Sequence, residues 1–303
     1  MVNSFESVLR KAKEIERKTV SVAVAQDEHV LEAVKAVNEQ GIANAILVGD
    51  EKAIREIADR IHMDLSNVEI INELDMKKAA RTAVECVSSK KAHMVMKGLI
   101  DTANFLRAVL DKEIGLRAKG LMSHVAVFEI PKFDRLILVT DAAMNKYPDL
   151  KEKVEIVKNA VMVSKALGNE LPKVAPICAV EVVNPKMPPT LDAAALSQMN
   201  ARGQIKGCLI DGPLAIDNAL SVEAAKHKGI ESPVAGKADI MLMPNIEAGN
   251  VMYKTLAFTT ESKNGGLLIG AAAPVIVTSR ADSYETKMNS IALAALVAEL
   301  LNK

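Results

Sequence analysis

The sequence predicts an α/β protein of two domains, each built on a mainly parallel sheet. Three observations carry that expectation. Short β-branched runs alternate with longer helical patterns along the whole of the 303 residues, the mark of strand–helix–strand units. Half of the residues are hydrophobic, which at this length fills two packed cores better than one. Polar residues gather just after the strand-like runs, where the carboxyl ends of parallel strands open a ligand crevice.

The elements follow in order. SVAVA at 21–25 predicts the first strand, and Asp27 opens a helix whose Val30, Ala33, Val34 and Val37 form an apolar stripe that Gly41 stops. AILVG at 45–49, VEII at 68–71 and HMVMKG at 93–98 repeat the pattern. HVAVFEI and RLILVTD are joined only by Pro131-Lys132-Phe133-Asp134, too short a link to cross over, so these two strands are expected to be antiparallel. From Pro148 the expected order is helix 149–167, strand 174–183, helix 190–201, strand 206–211, helix 217–228, strand 238–243 and helix 247–261. The strands GLLIG and PVIVTS and a helix over 283–301 complete the chain. A helix that long can return to the first domain. The expected division is 1–138 plus 278–303 for a discontinuous first domain and 139–277 for the second.

Composition excludes several classes of function. Lys plus Arg and Asp plus Glu are both 38, so no general field draws in nucleic acid or an anionic membrane surface, and a polyanionic ligand must be held by local cations. The stretch MVNSFESVLRKAKEIERK carries acidic residues and no continuous apolar core, unlike a signal peptide or a membrane span, and a cytoplasmic location is expected. Cys86, Cys178 and Cys208 are widely spaced with no CxxC pair, as expected of reduced, mostly buried thiols. The five histidines show no HxH, HxxH or HExxH spacing, so no metal site is expected. No GxGxxG follows the first strand, and GxxxxGKS and GxSxG are missing, which argues against a dinucleotide oxidoreductase, a P-loop enzyme and an α/β-hydrolase. What remains is chemistry that positions anions, such as acyl or phosphoryl transfer between two bound substrates.

Four segments could do this. Thr278-Ser279-Arg280-Ala281-Asp282-Ser283 places an arginine and three hydroxyls between an apolar strand and the last helix, where helix N–H groups and a bidentate guanidinium would hold phosphate or carboxylate. Asp282 and Glu285 in the same segment have the spacing of a capping box, or could pair with Arg280. In MKGLIDTANFLRAVL, Lys97 closes a strand, and Thr102 and Arg107 follow on the next helix with Asp101 as its cap. The loop EIGLRAKGLMSH clusters Arg117, Lys119, Ser123 and His124 around two glycines that would let backbone amides approach an anion. Asn245, Gly249 and Asn250 crowd the entry to a helix. Asn245 as an N-cap explains one of them, but a glycine there lowers helix propensity by about 1 kcal/mol, which points to a packing or ligand duty.

Several long segments resemble the phosphate acetyltransferase and butyryltransferase family: MVMKGLIDTANFLRAVL, SHVAVFEIPKFDRL, KVAPICAVEVVNPKMP, DGPLAIDNALSVEAAKHKGIESPVAGKADIMLMPNIEAGNVMYK and VIVTSRADSYETKMNSIALAALVAEL. The resemblance implies two α/β domains with an inter-domain cleft, like the isocitrate dehydrogenase architecture, and a homo-oligomer that is at least a dimer. It implies reversible transfer of a short acyl group between coenzyme A and phosphate, butanoyl-CoA plus phosphate giving butanoyl phosphate plus coenzyme A, with both as substrates and no cofactor. The Ser-Arg pair of the acetyl-transferring relatives falls on Ser279 and Arg280, and their coenzyme A arginine on Arg107, with Thr102 as the matching threonine. Their Ser-rich turn falls near Ser123, with Arg117 or Lys119 in place of a second arginine. Where they carry a catalytic aspartate, this chain has Thr286, which leaves Asp282 and Glu285 as the nearby carboxylates. That departure also allows a binding protein that keeps the fold without catalysis. A decarboxylating dehydrogenase on the same architecture would need a metal-binding aspartate cluster that the sequence does not display.

Overall fold

The computed structural model describes residues 2–118 and 120–302. Along the chain run α1 (Phe5–Glu14), β1 (Lys18–Ala23), α2 (Glu28–Glu39), β2 (Ala43–Gly49), α3 (Glu51–Arg60), β3 (Glu69–Asn72), α4 (Met76–Ser88), β4 (Met94–Lys97) and α5 (Thr102–Val109). Then come β5 (Ser123–Glu129), β6 (Ile137–Thr140), α6 (Leu150–Ala166), β7 (Lys173–Pro176), α7 (Pro188–Ala201), β8 (Leu209–Ile210), α8 (Ile216–Leu220), α9 (Val222–His227), β9 (Ile240–Leu242) and α10 (Ile246–Thr259). β10 (Lys263–Ile269), β11 (Val275–Ile276) and α11 (Tyr284–Leu301) close the chain. No helix among the described residues is long and apolar enough to cross a membrane.

Two compact units form, one from Phe5–Gly120 with Gly265–Lys303, the other from Leu121–Asn264 with Met1–Ser4. The junctions fall at 4/5, 120/121 and 264/265, whereas the patterning of the sequence put them at 138/139 and 277/278. β5 pairs antiparallel with β6, Ala126 opposite Val139, and a hairpin that tight keeps both strands in one unit.

In the unit built from Phe5–Gly120 and Gly265–Lys303, the strand order is β3-β2-β1-β4-β11-β10. The first five run parallel and β10 is antiparallel to β11. Sequential strands leave β1 on one side and β4 begins the other, so the order reverses between them, the place where open parallel sheets bind ligands. α2 buries Val30, Leu31, Ala33, Val34 and Val37, the stripe expected from the sequence, and Asp27 caps it by accepting from the Val30 N–H. α11 is buried on all sides from Asn289 to Ala298 and packs on α1 and α2, as a helix apolar all round must. Near its end Glu299 takes the buried Lys18 ammonium at 2.8 Å.

In the other unit the order is β5-β6-β9-β7-β8, with β6, β9, β7 and β8 parallel. Its core gathers Phe128, Val139, Ile177, Val234 and Met241. Two expected elements are corrected. The strand expected over 174–183 ends at Pro176; beyond it a single bridge joins Ile177 to Leu214, and Val182 and Val183 are exposed. The helix expected over 217–228 breaks at Ser221, which ends α8 and caps α9 by accepting from the Ala224 N–H.

Candidate functional site

The sequence-predicted residues fall into two groups, one in each unit. In the unit with α11, the carboxyl ends of β1, β4 and β11 carry Asp27, Lys97 and Arg280, beside Lys287 of α11. The backbone itself is drawn tight there. Val24, just after β1, has φ of +57°, rare for a β-branched residue, and a Cβ on Gly98 would lie 2.3 Å from the Val24 carbonyl oxygen. Only glycine lets β4 hand over to the next segment so close to β1, and the Gly98 N–H donates to Ala23 O at 2.9 Å.

Lys97 is 5% exposed. Its ammonium donates to the carbonyls of Gly98 at 3.3 Å and Ile100 at 3.1 Å. Burial holds its pKa below the ordinary lysine value, and the positive charges of Arg280 and Lys287 push the same way, with Asp27 and Asp101 opposing. Arg280 is exposed on a turn that is heavily bonded within itself. The Asp282 carboxylate accepts from the Ser279 N–H at 2.7 Å, the Asp282 N–H donates to Ser279 O at 3.2 Å, and the Ser279 hydroxyl oxygen accepts from the Ala281 N–H at 3.3 Å. The expected Asp282–Glu285 capping box is not formed. Ser283 is the N-cap of α11, accepting from the Thr286 N–H at 3.2 Å, because Asp282 is already committed to the turn before it. Glu285 is exposed in the first helical turn.

On α5, Asp101 is the N-cap, accepting from the Asn104 N–H at 2.9 Å. Thr102 and Arg107 are exposed on that helix, and Arg107 donates to the Asn104 side chain. Arg117 is exposed in the loop that follows; Lys119 lies outside the described residues.

The second group surrounds Asp141 in the other unit. Ser123 is fully buried, its hydroxyl accepting from the Asn159 side chain at 2.9 Å, so it belongs to the packing of β5 rather than to an open surface. His124 is 7% exposed and meets Tyr253 edge to face at 6.0 Å. Its backbone N–H donates to the Asp141 carboxylate at 3.2 Å, which also accepts from the backbone N–H groups of Ala143, Met144 and Asn145 and from the Asn145 side chain at 2.6 Å. Asn245 caps α10, accepting from the Ala248 N–H at 3.0 Å. Asn250 donates to Ala142 O at 3.1 Å, and a Cβ on Gly249 would lie 2.2 Å from Asp141 O. The unusual Asn and Gly residues at the head of α10 therefore have a packing duty, holding that helix against the 141–145 loop.

All but the ends of the chain matches the profile of one family, described as phosphate acetyl/butaryl transferase, over residues 4–83 and 73–295. The chain belongs to that family. Among its relatives is a phosphate butyryltransferase of Clostridium acetobutylicum, 66% identical over 98% of this chain and 99% of that one. A phosphate acetyltransferase of Thermotoga maritima is 47% identical over 93% of this chain and 95% of that one. Of solved structures, a branched-chain phosphotransacylase from Enterococcus faecalis superposes with a TM-score of 0.81 at 32% identity, over 93% of this chain and 99% of that one. The fold is thus shared with a solved phosphotransacylase.

One charged residue of the first group was missed in the sequence. Lys287 is 2% exposed, its ammonium bonded to Ser279 O and Asp282 O. A lysine in the first turn of a helix runs against the helix dipole, and that was the available signal.

Proposed function

We propose that this protein transfers a short acyl group reversibly between coenzyme A and inorganic phosphate, with butanoyl-CoA and phosphate giving butanoyl phosphate and free coenzyme A. The observation that carries it is the 66% identity, across nearly the full length of both chains, to a protein named phosphate butyryltransferase. The side chains around Arg280 support it. A phosphate oxygen attacks the thioester carbonyl carbon, a tetrahedral oxyanion forms, and the carbon–sulfur bond breaks to release the thiolate, which takes up a proton. Arg280 neutralises phosphate or acyl phosphate, with Lys97 adding positive charge behind it. The Ser279 hydroxyl and N–H groups at the start of α11 donate to the oxyanion. In the reverse direction the thiol must lose a proton to a carboxylate, and Asp282 and Glu285 are the candidates. Arg107 with Thr102, and Arg117 or Lys119, hold the phosphates of coenzyme A; Ser123, His124, Asn245 and Asn250 shape the other group. Coenzyme A and phosphate act as substrates, with no cofactor, in a cytoplasmic homo-oligomer of at least two chains.

The test is release of free thiol from butanoyl-CoA on adding phosphate. Turnover that depends on phosphate, and falls about 10²-fold or more in Arg280→Ala, is the expected result. Saturable binding of butanoyl-CoA without turnover would make the chain a binding protein, and an Arg280→Ala enzyme with full activity would overturn the site. The acetyltransferase relative at 47% identity supports a second substrate choice. One methylene in an apolar pocket is worth only about 1–3 kcal/mol, so acetyl-, propanoyl-, butanoyl- and isobutanoyl-CoA are compared side by side.

A further inference from the structure

The proposed chemistry leaves Lys287 without a role. It occupies the first turn of α11, where the helix presents its positive end. Its side chain is buried, its ammonium is held by carbonyl oxygens rather than by a carboxylate, and burial depresses its pKa against the opposing pull of Asp282 and Asp27. A methionine would fill the same space without any of these penalties. Local choices that oppose stability collect at functional sites.

The two carbonyls identify the duty. Ser279 and Asp282 are the first and last residues of the turn that carries Arg280, already joined by Asp282 N–H to Ser279 O and by Ser279 N–H to the Asp282 carboxylate. The Lys287 ammonium donates to Ser279 O at 3.3 Å and to Asp282 O at 2.5 Å, so one side chain ties both ends of the turn to α11. Arg280 itself is exposed, and the turn holds the backbone from which its side chain leaves. Lys97 shows the same device at the end of β4, its ammonium gathering the carbonyls of Gly98 and Ile100.

We propose that Lys287 is a positioning residue, which locks the Ser279–Asp282 turn so that Ser279 and Arg280 address the phosphate group in a fixed geometry. It rests on the assignment of Arg280 to phosphate. A displacement of about 1 Å in a positioned group costs on the order of 10²-fold in rate, so a released turn should be costly even though Lys287 does not touch the reacting atoms.

Steady-state kinetics test this on the purified full chain, comparing wild type, Lys287→Met, Lys287→Gln, Arg280→Ala and the double variant Arg280→Ala with Lys287→Met. The expected result is a fall of about 10- to 100-fold in kcat/KM for phosphate in Lys287→Met, with KM for butanoyl-CoA within about twofold of wild type. The double variant should be no worse than Arg280→Ala alone, because a residue that acts through Arg280 has nothing left to position. Near wild-type kinetics in Lys287→Met, equal losses for both substrates, or a double variant whose loss is the product of the two single losses would each overturn the proposal. Failure of both Lys287 variants to fold would mark the lysine as a requirement of the fold and overturn it as well. A fully active Arg280→Ala would instead sink the underlying site, so the two failures are distinct.

Discussion

Gly249 lies against Asp141 so closely that a Cβ added to it would sit 2.2 Å from the Asp141 carbonyl oxygen and 3.0 Å from Ala142 Cα. α10 thus approaches the 141–145 loop through a residue with no side chain, and Asn250 fastens the approach by donating to Ala142 O. In Gly249→Ala the gain of about 1 kcal/mol in helix propensity competes with forcing helix and loop apart, which in a packed interior costs about 1–3 kcal/mol. The contact is to backbone, which cannot rotate away, so the variant should be less stable than wild type in urea unfolding. A variant as stable as wild type would show that the loop yields freely.

Asp141 is the hub of that loop, its carboxylate accepting four backbone N–H groups and the Asn145 side chain. Asp141→Asn turns one acceptor oxygen into a donor that faces other donors. The expected loss is about 1–3 kcal/mol, measured by thermal or urea unfolding, with faster hydrogen exchange at the N–H groups of Ala143 and Met144. Unchanged exchange at those two positions would contradict the assignment.

At the start of α11 the cap residue Ser283 and the exposed carboxylate Glu285 should behave differently. Ser283→Ala removes the side chain that accepts from the Thr286 N–H and should cost about 1 kcal/mol. Glu285→Gln, at an exposed position, should leave stability within about 0.5 kcal/mol. Loss of turnover in Glu285→Gln with stability intact would single it out as the base over Asp282, and a shifted pH–rate profile would accompany it.

Two buried thiols give the protein an alkaline weakness. Burial pushes Cys178 and Cys208 from the ordinary value of 9.0 up to about 11. The folded state favours the protonated thiol, so this contribution is fully present below pH 9 and is lost as pH rises from about 9 to about 11. Unfolding free energy should decline across that window, and the decline should be shallower in a Cys178→Ala, Cys208→Ala double variant. Both thiols should resist a thiol reagent at pH 8 in the folded protein and react after unfolding; rapid labelling of the native state would refute their burial.

Much of the fold is legible in the sequence. The stripe of Val30, Val34 and Val37, the antiparallel pair at 124–141 and the long last helix are all local patterns, and each appears with bounds shifted by a few residues. Where the expectation failed, a single side chain decided. Ser221 caps α9 and so cuts one expected helix in two, and Ser283 takes the cap expected of Asp282 because that carboxylate has turned back to the Ser279 N–H. Ser123 belongs by sequence to a basic loop, and the fold buries it at the start of β5 on Asn159, 36 residues away.

By itself, the sequence determined the alternation of strands and helices, the parallel arrangement and the gathering of polar residues at strand ends, because hydrophobic period and turn chemistry are properties of neighbouring residues. Tertiary structure decided which of those polar residues are exposed and which are buried braces. That Lys97 and Lys287 are buried beside Arg280, that Gly249 must lack a side chain, and that Asp141 holds its own loop all depend on desolvation and hydrogen bonds between segments far apart in the chain, which no local pattern encodes.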